Sequence, residues 1–528
     1  MTTPIPSHHP LQTAIARRTL LKGTVAASAL LALQALTACA PVQTPTGGAA
    51  ASASDAAKVV RLSHNVFYGG RESLVPGSRT PFAAVNNLIY ERLVRHSPTG
   101  QAEPWLAESW TANDTATVWT FKLRQGVTFH DGKAFTAQDA VYSIQRITDP
   151  ELKSGLVRFL EVVEVEGIKA VDDNTLEIPL KEAYADFPVV LPALFPIIAD
   201  GSGPTIGETG NGTGAFKLEK FAPEGTSVVV ANDQHWNGRP QLDRIEIVPV
   251  ADAQARVNAL LADQIDYTDT LDIAQAALIE QNPKYVFENV VDGTWYGFAL
   301  RTDQAPFDDV RVRLALKLVM DRDLLIKTVV QGNGIPAADQ PVYPGDANAL
   351  QIDRARDVEK AKALLAEAGH ADGLEITMHT TDALGPINAL AVTYKELAAE
   401  AGINVTIENH DPDQFWGTVY MQQPCFATAG ANMPTPFMLD LLFRAGSPFN
   451  EPGWSSDKME ELLSQARQEL DAEKRKAIYH AAQQLIADEG GLLIPFFTGM
   501  GRAYHKKVQG IDASAVQIDW TKVTVAGA

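Results

Sequence analysis

The chain has 528 residues, 45% of them hydrophobic, and 44 lysines and arginines against 64 aspartates and glutamates give a formal net charge of −20. An acidic surface repels phosphate backbones, so nucleic acid is not an expected partner. Length and apolar content predict a large core divided over more than one lobe.

Residues 1–38 carry no acidic side chain. The basic residues Arg17, Arg18 and Lys22 precede an apolar stretch, Gly23 to Ala38, that is too short to span a bilayer securely, which predicts an export signal over 1–38. Ala16 to Lys22 resembles a twin-arginine address, with Ala16 where Ser or Thr is usual and Leu20 where Phe is usual, and the Sec route stays open beside it. Leu36-Thr37-Ala38-Cys39 resembles a lipobox whose Cys39 thiol receives the lipid. The run that follows is mostly Ala, Ser, Thr, Gly and Pro, so 39–57 is expected to be an anchor and flexible tether. No second long apolar run appears, and the body is expected to be soluble at the exported face of the membrane.

Beyond the tether, strands and helices alternate, which predicts an α/β or mixed fold. Val118 to Arg124 alternates Trp119, Phe121 and Leu123 with polar residues, the pattern of a strand buried on one side. Thr136 and Asp139 are spaced to cap a helix whose Ala140, Val141, Ile144 and Ile147 share a face. Glycines at 201, 203, 207, 210, 212 and 214 miss the dinucleotide fingerprint and suggest a long surface loop. Ile245 and Ile247 mark a further strand. Asp357 opens a helix with Val358, Ala361, Leu364, Leu365 and Ala368 inward, and Gly369 ends it. Helices are expected between Asp457 and Glu489, then a short strand from Leu492 to Phe497.

Catalytic motifs do not appear: there is no Gly-x-Ser-x-Gly elbow, no phosphate loop and no His-Glu-x-x-His pair. Cys425 is the one thiol left beside Cys39, and a lone cysteine is expected to be a small buried apolar residue. The eleven histidines are dispersed, and no His/Cys/carboxylate set has metal-ligand spacing. No catalytic residue, cofactor or metal is therefore expected, although a cleft can assemble ligands from distant positions.

Several blocks together resemble bacterial solute-binding protein family 5, the peptide, opine and nickel class of extracellular binding proteins that serve ABC importers. They are Asn87 to Val94, Pro104 to Trp110, Trp119 to Val127, Phe129 to Gly132, Phe135 to Asp139, Gly212 to Phe216, His235 to Pro240 and Pro306 to Arg313 leading to Asp321-Arg322. The resemblance runs from about Val59 to the C-terminus. It implies an α/β, two-lobed periplasmic-binding-protein-like fold with discontinuous lobes, mixed sheets and an extra subdomain in lobe I. By analogy lobe I spans 58–292, with the subdomain at 93–208; lobe II spans 293–497, and 498–528 returns to lobe I. Crossings are expected at Gly293-Thr294-Trp295 and Phe497-Thr498-Gly499.

The function so implied is capture of a small solute by a monomeric receptor that hands it to ABC permease subunits, with the membrane reached through the lipid anchor. A hydrolase or metal-dependent enzyme, or a sensory or chaperone-like binding module, on the same scaffold is the alternative. Candidate ligand contacts are Phe67, Tyr68 and Gly69 after the first strand, Trp295 and Tyr296 at the crossing, Trp416, and Asn432, Met433 and Phe437. Dipeptide-binding members hold the ligand's amino terminus with an aspartate, but the matching run here, Ala429 to Phe437, has no carboxylate. Their carboxylate-holding arginine falls near Asp382 or Ala383, so that anchor is absent too. A free dipeptide is therefore not the expected ligand.

Overall fold

The structure, a computed structural model, describes residues 57–64, 72–81, 83–192, 195–271, 273–513 and 515–526. The expected signal, Cys39, the tether up to Ala56, and Phe67, Tyr68 and Gly69 lie outside the described residues. No described helix is long and apolar enough to cross a membrane.

One mixed sheet of 11 strands runs through the molecule. From one edge it takes Ile403–His410, Leu374–Thr381, Cys425–Gly430, Tyr285–Leu300 and Leu492–His505, then Tyr267–Leu271, Val59–His64, Arg244–Pro249, Ser227–Ala231 and Phe216–Lys220. Gly334–Pro336 pairs alongside Leu492–His505. Two long antiparallel strands, Tyr285–Leu300 and Leu492–His505, join the two halves.

The second of these extends past the strand expected to end at Phe497. Gly499 belongs to the expected crossing, yet it sits inside the ladder, where the partner strand comes too close for a side chain. A Cβ on Gly499 would lie 1.6 Å from the Val290 carbonyl oxygen. The register shifts between Val291 and Thr294, where Gly293 adopts φ +84°, a conformation that favours glycine. Both expected crossings thus fall within strands that stay paired, with Val291 opposite Gly499 and Thr294 opposite Thr498.

Three large cores form around this sheet. One draws its residues from Trp295 to Phe497, a second from Leu93 to Ala199, and a third from Val60 to Ile247 together with Tyr504 to Val523. The second contains an antiparallel sheet of Ala107–Ala112, Val118–Leu123, Thr175–Pro179 and Lys169–Asp172. Phe121 is fully buried and Trp119 nearly so, and burial of such a side chain stabilises the fold by about 1.5–3 kcal/mol. Beside them the helix Ala137–Gln145 begins as expected: the backbone N–H and hydroxyl of Thr136 donate to Asp139 at 2.8 and 3.0 Å.

The glycine-rich stretch differs from a surface loop at its end. Gly212 and Gly214 are buried against the end of helix Ala83–Ile89, where a Cβ on Gly212 would lie 1.9 Å from the Ile89 carbonyl oxygen. In the core that includes Trp295, the Lys317 ammonium is completely buried and donates to the carbonyls of Ile486, Ala487 and Gly490 at 3.3, 2.9 and 2.7 Å. Those carbonyls close the helix Ala472–Glu489, whose C-terminal dipole favours a cation.

Candidate ligand-binding site

The ladder positions the central group. Trp295 lies opposite Gly430 on one neighbouring strand and Phe497 on the other, and Tyr296 opposite Ala429 and Phe496. The indole lies against Gly430, where a Cβ would come 2.3 Å from its ring, and the Tyr296 phenol lies against Gly385, at 2.8 Å by the same measure. A Cβ on Gly293 would meet Asn432 at 2.8 Å and the Tyr343 ring at 2.9 Å. Three glycines thus let Trp295, Tyr296, Asn432 and Tyr343 crowd onto one stretch of backbone. Tyr343 was not singled out by local pattern; it arrives from a loop and donates its hydroxyl to the Val291 carbonyl at 3.2 Å.

The other candidates separate from this group. Trp416 is 48% exposed and contacts Phe415 and Tyr420. Phe437 belongs to the helix Thr435–Phe443 and sets its ring 4.9 Å from Phe159, bridging two cores. Met433 is half-buried in the short link between Asn432 and that helix. The bodies also meet where Asp440 and Glu182 pair with Arg467, and where Asp186 accepts from Tyr479 at 2.6 Å and pairs with Arg475 at 2.9 Å.

Two features define the chemistry of the central group. Trp295 is 2% exposed, and its Nε1 finds no acceptor among the described residues. An enclosed N–H left so costs about 1–3 kcal/mol. Asp292 is the nearby carboxylate: it accepts the Thr294 backbone N–H at 2.9 Å. Burial, and then the Asp292 charge, push the phenols of Tyr296 and Tyr343 above their ordinary range, which keeps both as neutral donors. Asp382 is exposed and accepts from Asn388 at 2.6 Å and Asn409 at 3.4 Å. Asp440 is held by Arg467 at 2.9 Å.

A groove of about 380 Å3 opens elsewhere, lined by Trp110, Trp119, Asp186, Asn348 and Arg475. Its Asp186 pairs with Arg475 and accepts from Tyr479, so these two charges are committed to each other, while Glu473 and Lys476 also line it. The orphan donor of Trp295 makes the aromatic group the better candidate for ligand capture.

Paired strands that join two bodies and carry an aromatic, donor-bearing group fit a protein that binds a small molecule. Residues 101–448 match the profile described as bacterial extracellular solute-binding proteins, family 5 middle. The chain belongs to this family, the solute-binding components of ABC importers, and has its two-lobed α/β fold.

Among its relatives, the periplasmic oligopeptide-binding protein OppA of Salmonella typhimurium is 28% identical over 90% of this chain and 93% of its own. Heme-binding protein A of Haemophilus influenzae is 28% identical over 78% of this chain and 82% of its own. The unliganded open form of the periplasmic murein tripeptide-binding protein MppA superposes with a TM-score of 0.76 at 21% identity, covering 89% of this chain and 97% of the other. These relatives are binding proteins, and those named periplasmic place the family outside the cytoplasm.

Proposed function

We propose that the mature protein is a monomeric, lipid-anchored receptor. It encloses a small acceptor-bearing solute against Trp295, Tyr296, Asn432 and Tyr343 and passes it to ABC permease subunits. The observation that carries this reading is the enclosed Trp295 Nε1 with no acceptor among the described residues, beside a tyrosine pair kept neutral. A solute carbonyl or carboxylate reaching the indole would remove the cost of the unmade bond. Names such as oligopeptide-binding and heme-binding among the relatives mark how widely ligands vary in the family. The run Asn432 to Phe437 favours an end-blocked or longer peptide, an opine, or another small polar or aromatic compound over a free dipeptide.

An enzymatic reading gains little support, since Cys425 is fully buried and burial raises its thiol far above the ordinary value. Mass spectrometry of solute co-purifying with the native protein tests the proposal: a stoichiometric compound with a hydrogen-bond acceptor supports it, and a turned-over product overturns it. The anchor rests on Leu36 to Cys39. Cys39→Ala should release the protein from membranes, and persistence after a high-salt wash would refute the lipoprotein assignment.

A further inference from the structure

Two neighbouring strands, Leu374–Thr381 and Ile403–His410, run parallel with His379 opposite Glu408 and Thr381 opposite His410. Side chains two residues apart on a strand share a face. The register therefore puts His379, Glu408 and His410 on one side of the sheet, although the two histidines are 31 residues apart in the chain. Their ligand atoms form a compact triangle. His379 Nδ1 lies 3.0 Å from His410 Nε2 and 3.4 Å from Glu408 Oε2, and His410 Nε2 lies 3.9 Å from the same oxygen.

A divalent ion with bonds of about 2.0–2.2 Å to imidazole and carboxylate holds such atoms about 3.3 Å apart in tetrahedral geometry, so the triangle needs only small side-chain adjustment. The imidazoles are close to parallel, at 25°, and the pair is nearly enclosed while Glu408 faces solvent. Neighbouring contacts brace the strand ends: Thr380 Oγ1 donates to Asn409 at 3.3 Å, and Asn409 Nδ2 donates to Asp382 at 3.4 Å.

We propose that His379, Glu408 and His410 form a binding site for one transition-metal dication of the zinc class, with its remaining position open to water. Two imidazoles and one carboxylate suit such an ion and not magnesium, which demands an octahedral oxygen shell. Ion binding replaces the hydrogen bond between the imidazoles with two coordinate bonds and ties the edge strand of the large sheet to its neighbour. The site shares no residue with the Trp295 group and does not depend on the solute reading.

The test uses the full chain, stripped with a chelator and titrated with Zn2+ or Mg2+ by equilibrium dialysis, with thermal unfolding read alongside. The expected result is one equivalent of Zn2+, no Mg2+, and a rise in the unfolding midpoint. His410→Ala should weaken Zn2+ binding by about tenfold or more and abolish the midpoint rise, as expected for loss of a ligand. Glu408→Gln, an exposed change that leaves the core intact, should weaken binding several-fold. Zn2+ binding unchanged in both variants would place the ion elsewhere and overturn the site, as would no binding by the unaltered chain.

Discussion

Two regions of the molecule treat the indole N–H of tryptophan in opposite ways. At Glu91, Trp105 Nε1 donates at 2.8 Å, Trp236 Nε1 at 3.0 Å, and the His235 ring contacts the same carboxylate at 3.1 Å. The indoles meet edge to face at 5.0 Å, and the Arg124 guanidinium lies 4.2 Å over the Trp236 ring. On the long paired strand Tyr285–Leu300, Trp295 is more deeply enclosed than either of these partly buried indoles, but among the described residues its N–H donates to nothing. A saturated cluster stabilises one arrangement of the chain, whereas an orphan donor leaves a bond for something else to make. On the proposed reading, the saturated cluster is scaffold and the unpartnered donor belongs to the binding group.

The largest effect is expected where the donors are saturated. Glu91→Ala removes the acceptor shared by two indoles and an imidazole and should lower the unfolding free energy by about 3–5 kcal/mol in a denaturant titration. Solute affinity of the folded fraction should stay unchanged. A loss of affinity with intact stability would reverse the roles assigned to the two regions.

Lys317 sharpens the comparison because its saturation depends on charge. Lys317→Met leaves buried carbonyls without their donor and should cost about 1–3 kcal/mol near neutral pH. Burial lowers the Lys317 pKa from 10.5 to about 7 despite those acceptors and the Asp339 charge. The folded pKa is the lower one, so between these values the unfolded chain binds more protons. This group's contribution therefore rises with pH from about 7 to about 10 and is flat below 7. The stability of the unaltered protein relative to Lys317→Met should climb over that window, with a slope no steeper than about 1.4 kcal/mol per pH unit. A flat difference would show that the three carbonyls hold the ammonium charged throughout.

How legible these regions are in the sequence follows from the range of the contacts that make them. Thr136 and Asp139 are three residues apart, and their cap can be read directly; so can the Trp119, Phe121 and Leu123 face and the Asp357 start of the helix Val358–Glu367. The blocks around Glu91, Trp105 and His235 can be recognised singly, but their convergence on one carboxylate requires the fold. Gly499 looks like a strand end because nothing local announces the Val290 carbonyl against it. Tyr343 and the His379–Glu408–His410 triangle depend on loop path and parallel register, which local spacing does not encode.

Trp295 itself calls for a variant that separates its two roles. Truncation to Ala would open a cavity in the core and cost about 3–5 kcal/mol of stability, which would obscure any effect on binding. Trp295→Phe keeps an aromatic ring and deletes only the orphan N–H and part of the ring volume. Stability should change by about 1.5 kcal/mol or less, while solute binding, measured by calorimetry with the co-purified compound, should weaken by about 1 kcal/mol or more. Undiminished affinity would make Trp295 a core residue and move the binding group elsewhere.

The smallest expected effect is a null, and it bears on what kind of solute the orphan donor awaits. No carboxylate occurs between Ala429 and Phe437, Asp440 is held by Arg467, and Asp382 is exposed and bonded to two asparagines. Asp292 lies beside the aromatic group and already accepts the Thr294 N–H, and the buried Asp346, which reaches the same run, already accepts the Thr435 hydroxyl at 2.8 Å. An ammonium enclosed here without a dedicated opposite charge would be costly, so free di- and tripeptides should give no thermal shift at millimolar concentration, about the weakest binding such a survey detects. An end-blocked peptide or an uncharged or anionic solute should raise the midpoint by mass action. Asp292→Asn should leave that rise in place, because the carboxylate contributes an acceptor to Thr294 that the amide oxygen can replace. A free dipeptide that binds tightly and loses its affinity on acetylation or in Asp292→Asn would show that Asp292 has taken over the amino-terminal anchor from the loop.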